Sequence, residues 1–245
     1  ITLSLLLIPN KKIPDNSLFA SIDKHERLSS IVEPKIILVG GSNLPFGVKS
    51  KMVEESLGMP VVNMGLHAGL GMNFIFSEVE KDIHEGDIVS IDVGATYKGY
   101  NSDAARTYPV GQVSAEVQKL IDVSKQSFFE GVKYAMVGYR IHDIGAAVQA
   151  YAEKNGMGVI RDYTGHGTGS ALHEDPQIPN YGNPGTGPRI KEGMTLAVEP
   201  MLTLGTYDVR TLANEWTVVT IDGKLSAHYE NTILITDGEP EILTL

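Results

Sequence analysis

The chain has 245 residues, of which 42% are hydrophobic and 20% are charged, a balance typical of globular proteins with one large domain or two smaller ones. Thirty acidic against twenty basic residues give a formal net charge of -10, which excludes a general binder of the nucleic-acid backbone because such a protein needs a basic face. The sequence contains no cysteine. Thiol catalysis, disulfides and zinc–thiolate sites are therefore excluded, and His, Asp and Glu remain as metal ligands.

The first residues, ITLSLLLIPNKK, form a short apolar segment. Its apolar run of about eight residues is well below the roughly twenty that a helix needs to span a bilayer, so we predict no complete membrane span. Two interpretations of this run stay open: a buried first strand, or the end of a longer hydrophobic segment that begins before this sequence.

Residues 35–83 alternate two strand patterns with two helical patterns. The strand patterns are KIILVGGSN and PVVNMG, and a helical pattern follows each of them, to Leu57 in the first case and from Gly71 to about Ile83 in the second. Short β-branched apolar runs that end in glycine are typical of buried strands. The β-α-β-α order predicts a parallel sheet with flanking helices.

After Gly86 the pattern changes. We predict hairpin strands from Asp87 to Val110, helices from about Ser114 to Met136 and from about Asp143 to Asn155, and then strands separated by Gly/Pro-rich loops up to Leu245. The predicted fold class is α+β, with a mostly antiparallel sheet in residues 86–245 and an α/β segment before it.

Isolated acidic residues occur within several apolar strand patterns. Asp92 and Asp103 lie in the predicted hairpin, Glu199 lies in MTLAVEPM, and Glu230 lies in AHYENTILI. A carboxylate buried without a partner is costly, and a bound cation is the strongest partner available. His166, in YTGHGTG, adds a nitrogen ligand, and the small residues beside it would let a ligand approach the backbone closely.

One imidazole and four carboxylates form an oxygen-rich set that suits two divalent ions such as Mn, Fe, Co or Zn better than one structural zinc. Two ions that share carboxylates can hold a hydroxide between them and polarise a carbonyl, which suits amide hydrolysis. Each acid taken alone could instead be a strand residue that faces water. His173, in SALHEDP, could be a loop histidine bonded to backbone or a donor to a substrate carbonyl.

Five segments of the sequence resemble those of a known family: GDIVSIDVGATYKGYNSDAARTYPVG, YTGHGTGSALHEDPQIPNY, GMTLAVEPM, NEWTVVTIDGKLSAHYENTILIT and EILTL. Through them residues 86–245 resemble type I methionine aminopeptidases, which have the pita-bread fold. The resemblance implies a dinuclear metallo-aminopeptidase that removes the N-terminal methionine from peptides and nascent chains. It also implies a cytoplasmic monomer, associated with the ribosome, without direct binding to nucleic acid.

The resemblance assigns roles to individual residues. The metal ligands would be Asp92, Asp103, His166, Glu199 and Glu230, of which Asp103 and Glu230 would bridge the ions. Glu199 would also be catalytic, and His173 would be catalytic through contact with the substrate. The residues near the methionine pocket would be Tyr163, Leu172 and Trp216. Trp216 could equally be a core residue. Proline-specific aminopeptidases share the five ligands, but EPM and LHEDPQIPNY favour the methionine enzymes. Asn231 departs from the family, which commonly has His at this position.

The N-terminal part of that family, with its substrate-binding histidine, is not recognisable in residues 1–85. Instead, KIILVGGSNLPFGVKS and PVVNMGLHAGLG resemble the start of an SGNH-type hydrolase domain. That resemblance makes Ser42 the nucleophile and Gly65 part of the oxyanion hole, but Ser42 is expected to be silent because no base follows it. We therefore expect an SGNH-like α/β fragment at 1–85, a catalytic domain at 86–245, and a chimeric chain joined near residues 86–89.

Three functions stay open on the sequence. The leading hypothesis is metal-dependent removal of N-terminal methionine. The alternatives are an inactive chimeric chain that binds metal without turnover, and a serine esterase or acyltransferase that depends on Ser42.

Overall fold

The structure is a computed structural model that describes Ser30 and residues 36–38, 61–63, 83–211 and 218–245. The chain divides into two compact units. The first contains Ile1–Val93, Thr107–Gln118 and Arg210–Val219, and the second contains Gly94–Arg106, Lys119–Val209 and Thr220–Leu245. The domain boundary expected between residues 85 and 86 stays a prediction. In the described part of the chain, no helix is both long and apolar enough to cross a membrane.

Short parallel strands lie in the first unit. Strand β1 (Ile36–Leu38) lies between β2 (Val61–Asn63) and the start of β3 (Ile88–Tyr97), and it is parallel to both. The parallel pairing predicted from the β-α-β-α order is therefore confirmed for the strands. The two helices predicted between them, and the N-terminal apolar run, lie outside the described residues.

Strands β3 and β4 (Tyr100–Pro109) form the predicted hairpin. Its two-residue turn is Lys98-Gly99, and both residues have positive φ, 51° and 85°, as a type I′ turn requires. Asp103 alternates along β4 with more exposed neighbours and lies on the buried face. The pleat of the strand therefore turns this carboxylate inward.

Two helices follow close to their predicted positions, α1 (Ala115–Val132) and α2 (Ile141–Lys154). Helix α1 ends four residues before the predicted end at Met136. Helix α2 begins where the Asp143 carboxylate accepts a hydrogen bond from the Arg140 N–H (2.7 Å), a capping contact that favours a helix start. Gly145 lets α2 approach a loop closely, because a Cβ there would lie 2.2 Å from the Pro179 carbonyl oxygen.

The remainder of the second unit consists largely of antiparallel sheet. Its strands are β5 (Gly158–Val159), β6 (Gly165–Gly167), β7 (Glu174–Ile178), β8 (Thr195–Val198), β9 (Met201–Thr203), β12 (Ser226–His228), β13 (Asn231–Leu234) and β14 (Glu241–Ile242). One sheet has the order β12-β9-β5 and another the order β14-β13-β8-β6-β7. Strands β10 (Val209–Thr211) and β11 (Val218–Thr220) pair with each other, and most of their residues belong to the first unit. The mostly antiparallel sheet predicted for residues 86–245 is confirmed.

Both helices contribute to two hydrophobic clusters in the second unit. Phe128 of α1 and Ile144 of α2 pack in one cluster with Leu196 of β8 and Ile233 of β13. A second cluster contains Leu120 of α1 and Ala152 of α2 together with strand residues Leu202 and Ala227. The same two helices thus pack against the pair β8 and β13 and against the pair β9 and β12. They support the chain where β8 is followed by β9 and where β12 is followed by β13.

Candidate metal centre

Glu199 and Glu230 lie at two breaks between strands. Glu199 and Pro200 separate β8 from β9, and Tyr229 and Glu230 separate β12 from β13. Proline has no N–H to continue a ladder, which favours a break at this point. The two breaks face each other, since the Tyr229 N–H donates to the Pro200 carbonyl at 3.1 Å. The two glutamates are thereby brought to the same part of the second unit.

Backbone hydrogen bonds place Asp103 beside Glu230. The Glu230 N–H donates to the Ala105 carbonyl at 2.9 Å, and the Ala105 N–H donates to the Glu230 carbonyl at 3.4 Å. The Asp103 N–H donates to Thr232 Oγ1 (2.8 Å), and this hydroxyl donates back to the Asp103 carbonyl (2.9 Å). Asp103 and Glu230 are each only 1% exposed, so both carboxylates are held inside the protein.

His166 reaches the same cluster from β6, between two glycines. A Cβ on Gly165 would lie 2.3 Å from the Ala197 carbonyl oxygen, and one on Gly167 would lie 2.3 Å from the Asp175 carbonyl oxygen. These glycines are therefore required by the backbones of the neighbouring strands. The expectation that they also give room to a ligand stays a prediction.

The His166 ring is oriented by its neighbour. Its Nδ1 lies 2.9 Å from the Gly167 carbonyl, and because a carbonyl can only accept, Nδ1 carries the hydrogen. In the neutral ring, Nε2 then has a free lone pair. Nε2 lies 3.6 Å from Glu199 Oε1 and 3.9 Å from Asp103 Oδ2. A lone pair that faces carboxylate oxygens is stabilised by a cation between them.

Burial makes the charged form of Glu199 costly. Burial, opposed by His166 and reinforced by Asp103, raises the pKa of the Glu199 carboxyl to about 8. A buried acid beside a second acid resists ionisation unless a positive charge is near. The cluster thus favours either a bound proton or a bound cation.

The residues of the second unit fit a divalent ion. The ligand atoms of His166, Glu199 and Glu230 lie within 4.8 Å of one another, as do those of Asp103, His166 and His173. Separations of 3.6 and 3.9 Å suit two ligands of a single ion with bonds of about 2.1 Å. A set of carboxylates with imidazole also has the chemistry that divalent transition metals prefer.

Asp92, the remaining predicted ligand, belongs to the first unit. It lies on β3 and is 1% exposed. Its membership of the ligand set stays a prediction from the sequence.

Two predicted substrate residues lie beside the cluster. The ring centroids of His173 and His166 are 4.3 Å apart, and His173 is exposed to solvent. Leu172 is close to Asp103, because Leu172 Cδ1 and Asp103 Oδ1 lie 3.3 and 3.7 Å from the position that a Cβ on Gly94 would take. A small residue at position 94 therefore leaves room for both side chains.

The other predicted site residues are not brought to the cluster by any described contact. Tyr163 is 39% exposed and lies two residues before the start of β6. Trp216, Ser42 and Gly65 lie outside the described residues.

Sequence reasoning assigned no role to His228, which is buried beside the two glutamates. Its Nε2 lies 3.6 Å from Glu199 Oε2 and 4.0 Å from Glu230 Oε2. Imidazoles thus flank Glu199 on both sides, with His166 near Oε1 and His228 near Oε2. Burial lowers the pKa of His228 to about 3, so the ring is neutral at ordinary pH. His228 lies two residues before Glu230 in a strand pattern, where both side chains point to the same face, and this spacing could have identified it from the sequence.

The chain is similar in sequence to known proteins. The model of metallopeptidase family M24 matches residues 49–237. The methionine aminopeptidase of Clostridium acetobutylicum is 58% identical over 163 residues, which are 66% of this chain and 65% of that protein. This chain therefore spans just under two thirds of the length of that relative.

Solved structures of two methionine aminopeptidases are also similar. The Rickettsia prowazekii structure has a TM-score of 0.65 at 44% identity and covers 66% of each chain. The Thermotoga maritima structure has a TM-score of 0.66 at 33% identity and covers 97% of this chain and 99% of the other. These likenesses confirm the pita-bread fold and the α+β class.

The family match begins at residue 49 and runs across the junction expected at residues 86–89. These findings give no support to the SGNH resemblance at Ser42 and Gly65, or to a chimeric chain. The match extends over more than half of the sequence, up to residue 237. The chain belongs to metallopeptidase family M24.

Proposed function

We propose that the protein is a metal-dependent aminopeptidase that removes the N-terminal methionine from peptides and nascent chains. The observation that carries this proposal is the buried convergence of Asp103, His166, Glu199 and Glu230 in a member of a metallopeptidase family. The choice of methionine is supported by relatives named methionine aminopeptidase at up to 58% identity.

The four clustered residues would hold divalent metal, and Asp92 completes the set that we infer from the sequence. We infer two ions, drawn from Mn, Fe, Co or Zn, because an oxygen-rich set of this size suits more than one. When bound, such ions supply Lewis-acid activation of water and of the substrate carbonyl. The raised pKa of Glu199, about 8, supports a cation as the natural partner of this carboxylate.

We assign the remaining catalytic and substrate-binding roles to individual side chains of the protein. His173 is exposed beside His166 and would donate a hydrogen bond to the substrate carbonyl. Glu199 would hold a metal and would also be catalytic, as the family resemblance implies. Leu172, Tyr163 and Trp216 would line the pocket for the methionine side chain.

The cellular setting is inferred from the family resemblance alone. We infer a cytoplasmic monomer that meets its substrates as nascent chains near the ribosome.

The test is release of free methionine from the peptide Met-Ala-Ser. The chain is stripped of metal and assayed with and without added Mn or Co, beside Glu230→Ala and the matched control Glu239→Ala, whose glutamate is exposed on the surface. We expect metal-dependent release by the parent and by Glu239→Ala, and none by Glu230→Ala. Equal release by all three proteins, or none by a metal-bound parent, would contradict the proposal.

The two alternatives from the sequence are not favoured. A serine esterase would cleave p-nitrophenyl acetate after chelation and lose that activity in Ser42→Ala. An inactive composite chain would bind metal, melt broadly and release no methionine. Both are outcomes of the same set of assays.

A further inference from the structure

Arg106, on β4, donates several hydrogen bonds near the candidate metal centre. Its Nη1 donates to the Ala105 carbonyl (2.8 Å) and to the Glu230 carbonyl. Its Nη2 donates to Asn231 Oδ1 (2.6 Å) and to the Thr244 carbonyl (3.2 Å). The planar guanidinium can serve several acceptors at fixed angles, so one side chain connects β4 to the residues that follow the break in the strand.

The face of the same guanidinium lies on an aromatic ring. Its central carbon is 4.2 Å from the centroid of Tyr229, a favourable cation–π distance. Tyr229 is 6% exposed and its ring centroid lies 5.5 Å from that of Phe128, so the ring is fixed in the core. Arg106 therefore contacts Tyr229, Glu230 and Asn231 in succession.

Asn231 and Thr244 extend these contacts to Asp103. Asn231 is fully buried, and its Oδ1 lies 3.3 Å from Thr244 Oγ1 as well as accepting from Arg106. Thr244 Oγ1 accepts from the Thr232 N–H at 3.0 Å and lies 3.4 Å from the Asp103 carbonyl. The hydroxyl has one hydrogen to donate, to Asn231 or to Asp103. The network thus supports the backbones of two proposed ligands.

We propose that Arg106 is a positioning residue for the metal centre, which fixes the backbone of Glu230 so that its carboxylate meets Asp103 and His166. Arg106 acts through Glu230, since its described hydrogen bonds go to backbone carbonyls and to the side chain of Asn231. Asn231 supplies the side-chain acceptor that orients the guanidinium. The inference rests on the proposed function only in requiring that the centre binds divalent metal, and it does not depend on the substrate.

The physical reason is the position of Glu230 outside a regular strand. Glu230 lies between β12 and β13, and besides Arg106 its carbonyl has the Ala105 N–H as donor at 3.4 Å, a long bond. Without the guanidinium the Glu230 carbonyl loses one of its donors, and we expect the carboxylate to be oriented less firmly. Loss of residues that orient metal ligands typically weakens metal affinity by about 10-fold to 100-fold.

Arg106→Lys separates charge from geometry, because lysine keeps the positive charge but not the planar set of donors. The metal-free variant is titrated with Co²⁺ and with Mn²⁺, and the Co²⁺ absorption spectrum and the unfolding temperature are recorded. Arg140→Lys is the matched control, since Arg140 is also half-buried and donates to a backbone carbonyl, that of Gly187 at 2.7 Å, at the start of α2.

We expect Arg106→Lys to weaken the affinity for Co²⁺ by about 10-fold to 100-fold and to change the Co²⁺ spectrum, while Arg140→Lys leaves both unchanged. Asn231→Leu, which removes the acceptor, gives the same loss, and the double variant with Arg106→Lys adds little to it. This second variant keeps the test valid if Arg106→Lys folds poorly.

Parental affinity and spectrum in Arg106→Lys and Asn231→Leu would overturn the proposal. So would equal losses in Arg106→Lys and Arg140→Lys that follow the unfolding temperature of the metal-free proteins, because they would show a general structural role. Failure of the parent to bind metal would overturn this inference together with the proposed function. Metal binding that responds to Arg106 in a protein that releases no methionine would contradict the proposed function alone.

Discussion

His166 and Glu230 reach the same cluster but are held there in different ways. His166 is held by packing, since the glycines on both sides of it leave no space for a Cβ against the neighbouring backbone. Glu230 is held by hydrogen bonds from Ala105 and Arg106. Changes beside His166 should therefore act on folding, whereas changes beside Glu230 should act on metal affinity in a folded protein.

The largest effect should come from removal of a ligand itself. Asp103→Ala deletes a buried carboxylate 3.9 Å from His166 Nε2, so we expect the affinity for divalent metal to fall by more than about 100-fold, beyond the loss typical of orienting residues. The metal content after dialysis against Mn²⁺ measures this. Metal content equal to that of the parent would remove Asp103 from the ligand set.

A substitution beside His166 should disturb the packing of β6 and lower the stability of the protein. A Cβ in Gly167→Ala would lie 2.3 Å from the Asp175 carbonyl oxygen, whereas one in Gly238→Ala would meet nothing closer than 3.9 Å. We expect Gly167→Ala to lower the free energy of unfolding by about 1–3 kcal/mol and Gly238→Ala to change it by less than about 0.5 kcal/mol. Urea unfolding of the metal-free proteins measures both, and equal stabilities would refute the packing argument.

The affinity for metal should depend on pH, because a proton and a metal ion compete for Glu199. Because Glu199 has a raised pKa of about 8, metal must displace a proton at neutral pH, and affinity should rise about 10-fold per pH unit as pH approaches 8. Calorimetric titration in buffers of different ionisation enthalpy measures the proton released. Metal affinity that is constant from pH 6.5 to 8 would contradict the raised pKa.

The metal-free protein should show a smaller effect with the opposite sign. Glu199 binds a proton more tightly when folded, so its contribution to stability is lost as pH rises towards about 8. The lowered pKa of His228, about 3, makes the protein lose stability as pH falls below the usual value for histidine, about 6.5. The His228 effect therefore lies below the interval from pH 6.5 to 8, over which we expect ionisation of Glu199 to lower the stability. Urea midpoints that rise over this interval would be inconsistent with it.

The sequence predicted the elements of residues 86–245 well because their periodicity is local. The hairpin around Asp103 and the two helices follow from patterns of two and of 3.6 residues. Asp103, Glu199 and Glu230 stood out as single acids in apolar strands, and their convergence with His166 is what the structure adds. The parallel strands β1 and β2 were also found, although the SGNH origin inferred for that segment has no support.

The contacts of Arg106 and His228 could not be predicted in the same way. Arg106 reaches Glu230 and Asn231 across 124 and 125 positions of the chain, and no local pattern reports a contact at such a separation. The position of His228 beside the two glutamates follows from the break between β12 and β13. That break depends on pairing with strands that are distant in the sequence. The glycines beside His166 were noticed, but the strand backbones that require them become visible only in the folded sheet.

The most direct test of the account is the position of the metal. Crystals of the protein soaked in Mn²⁺, with anomalous scattering measured at the Mn edge, locate any ion without assumptions about activity. The account predicts a strong peak about 2.0–2.2 Å from His166 Nε2 and from carboxylate oxygens of Asp103, Glu199 or Glu230. Anomalous density that avoids these four residues in well-ordered crystals would contradict it.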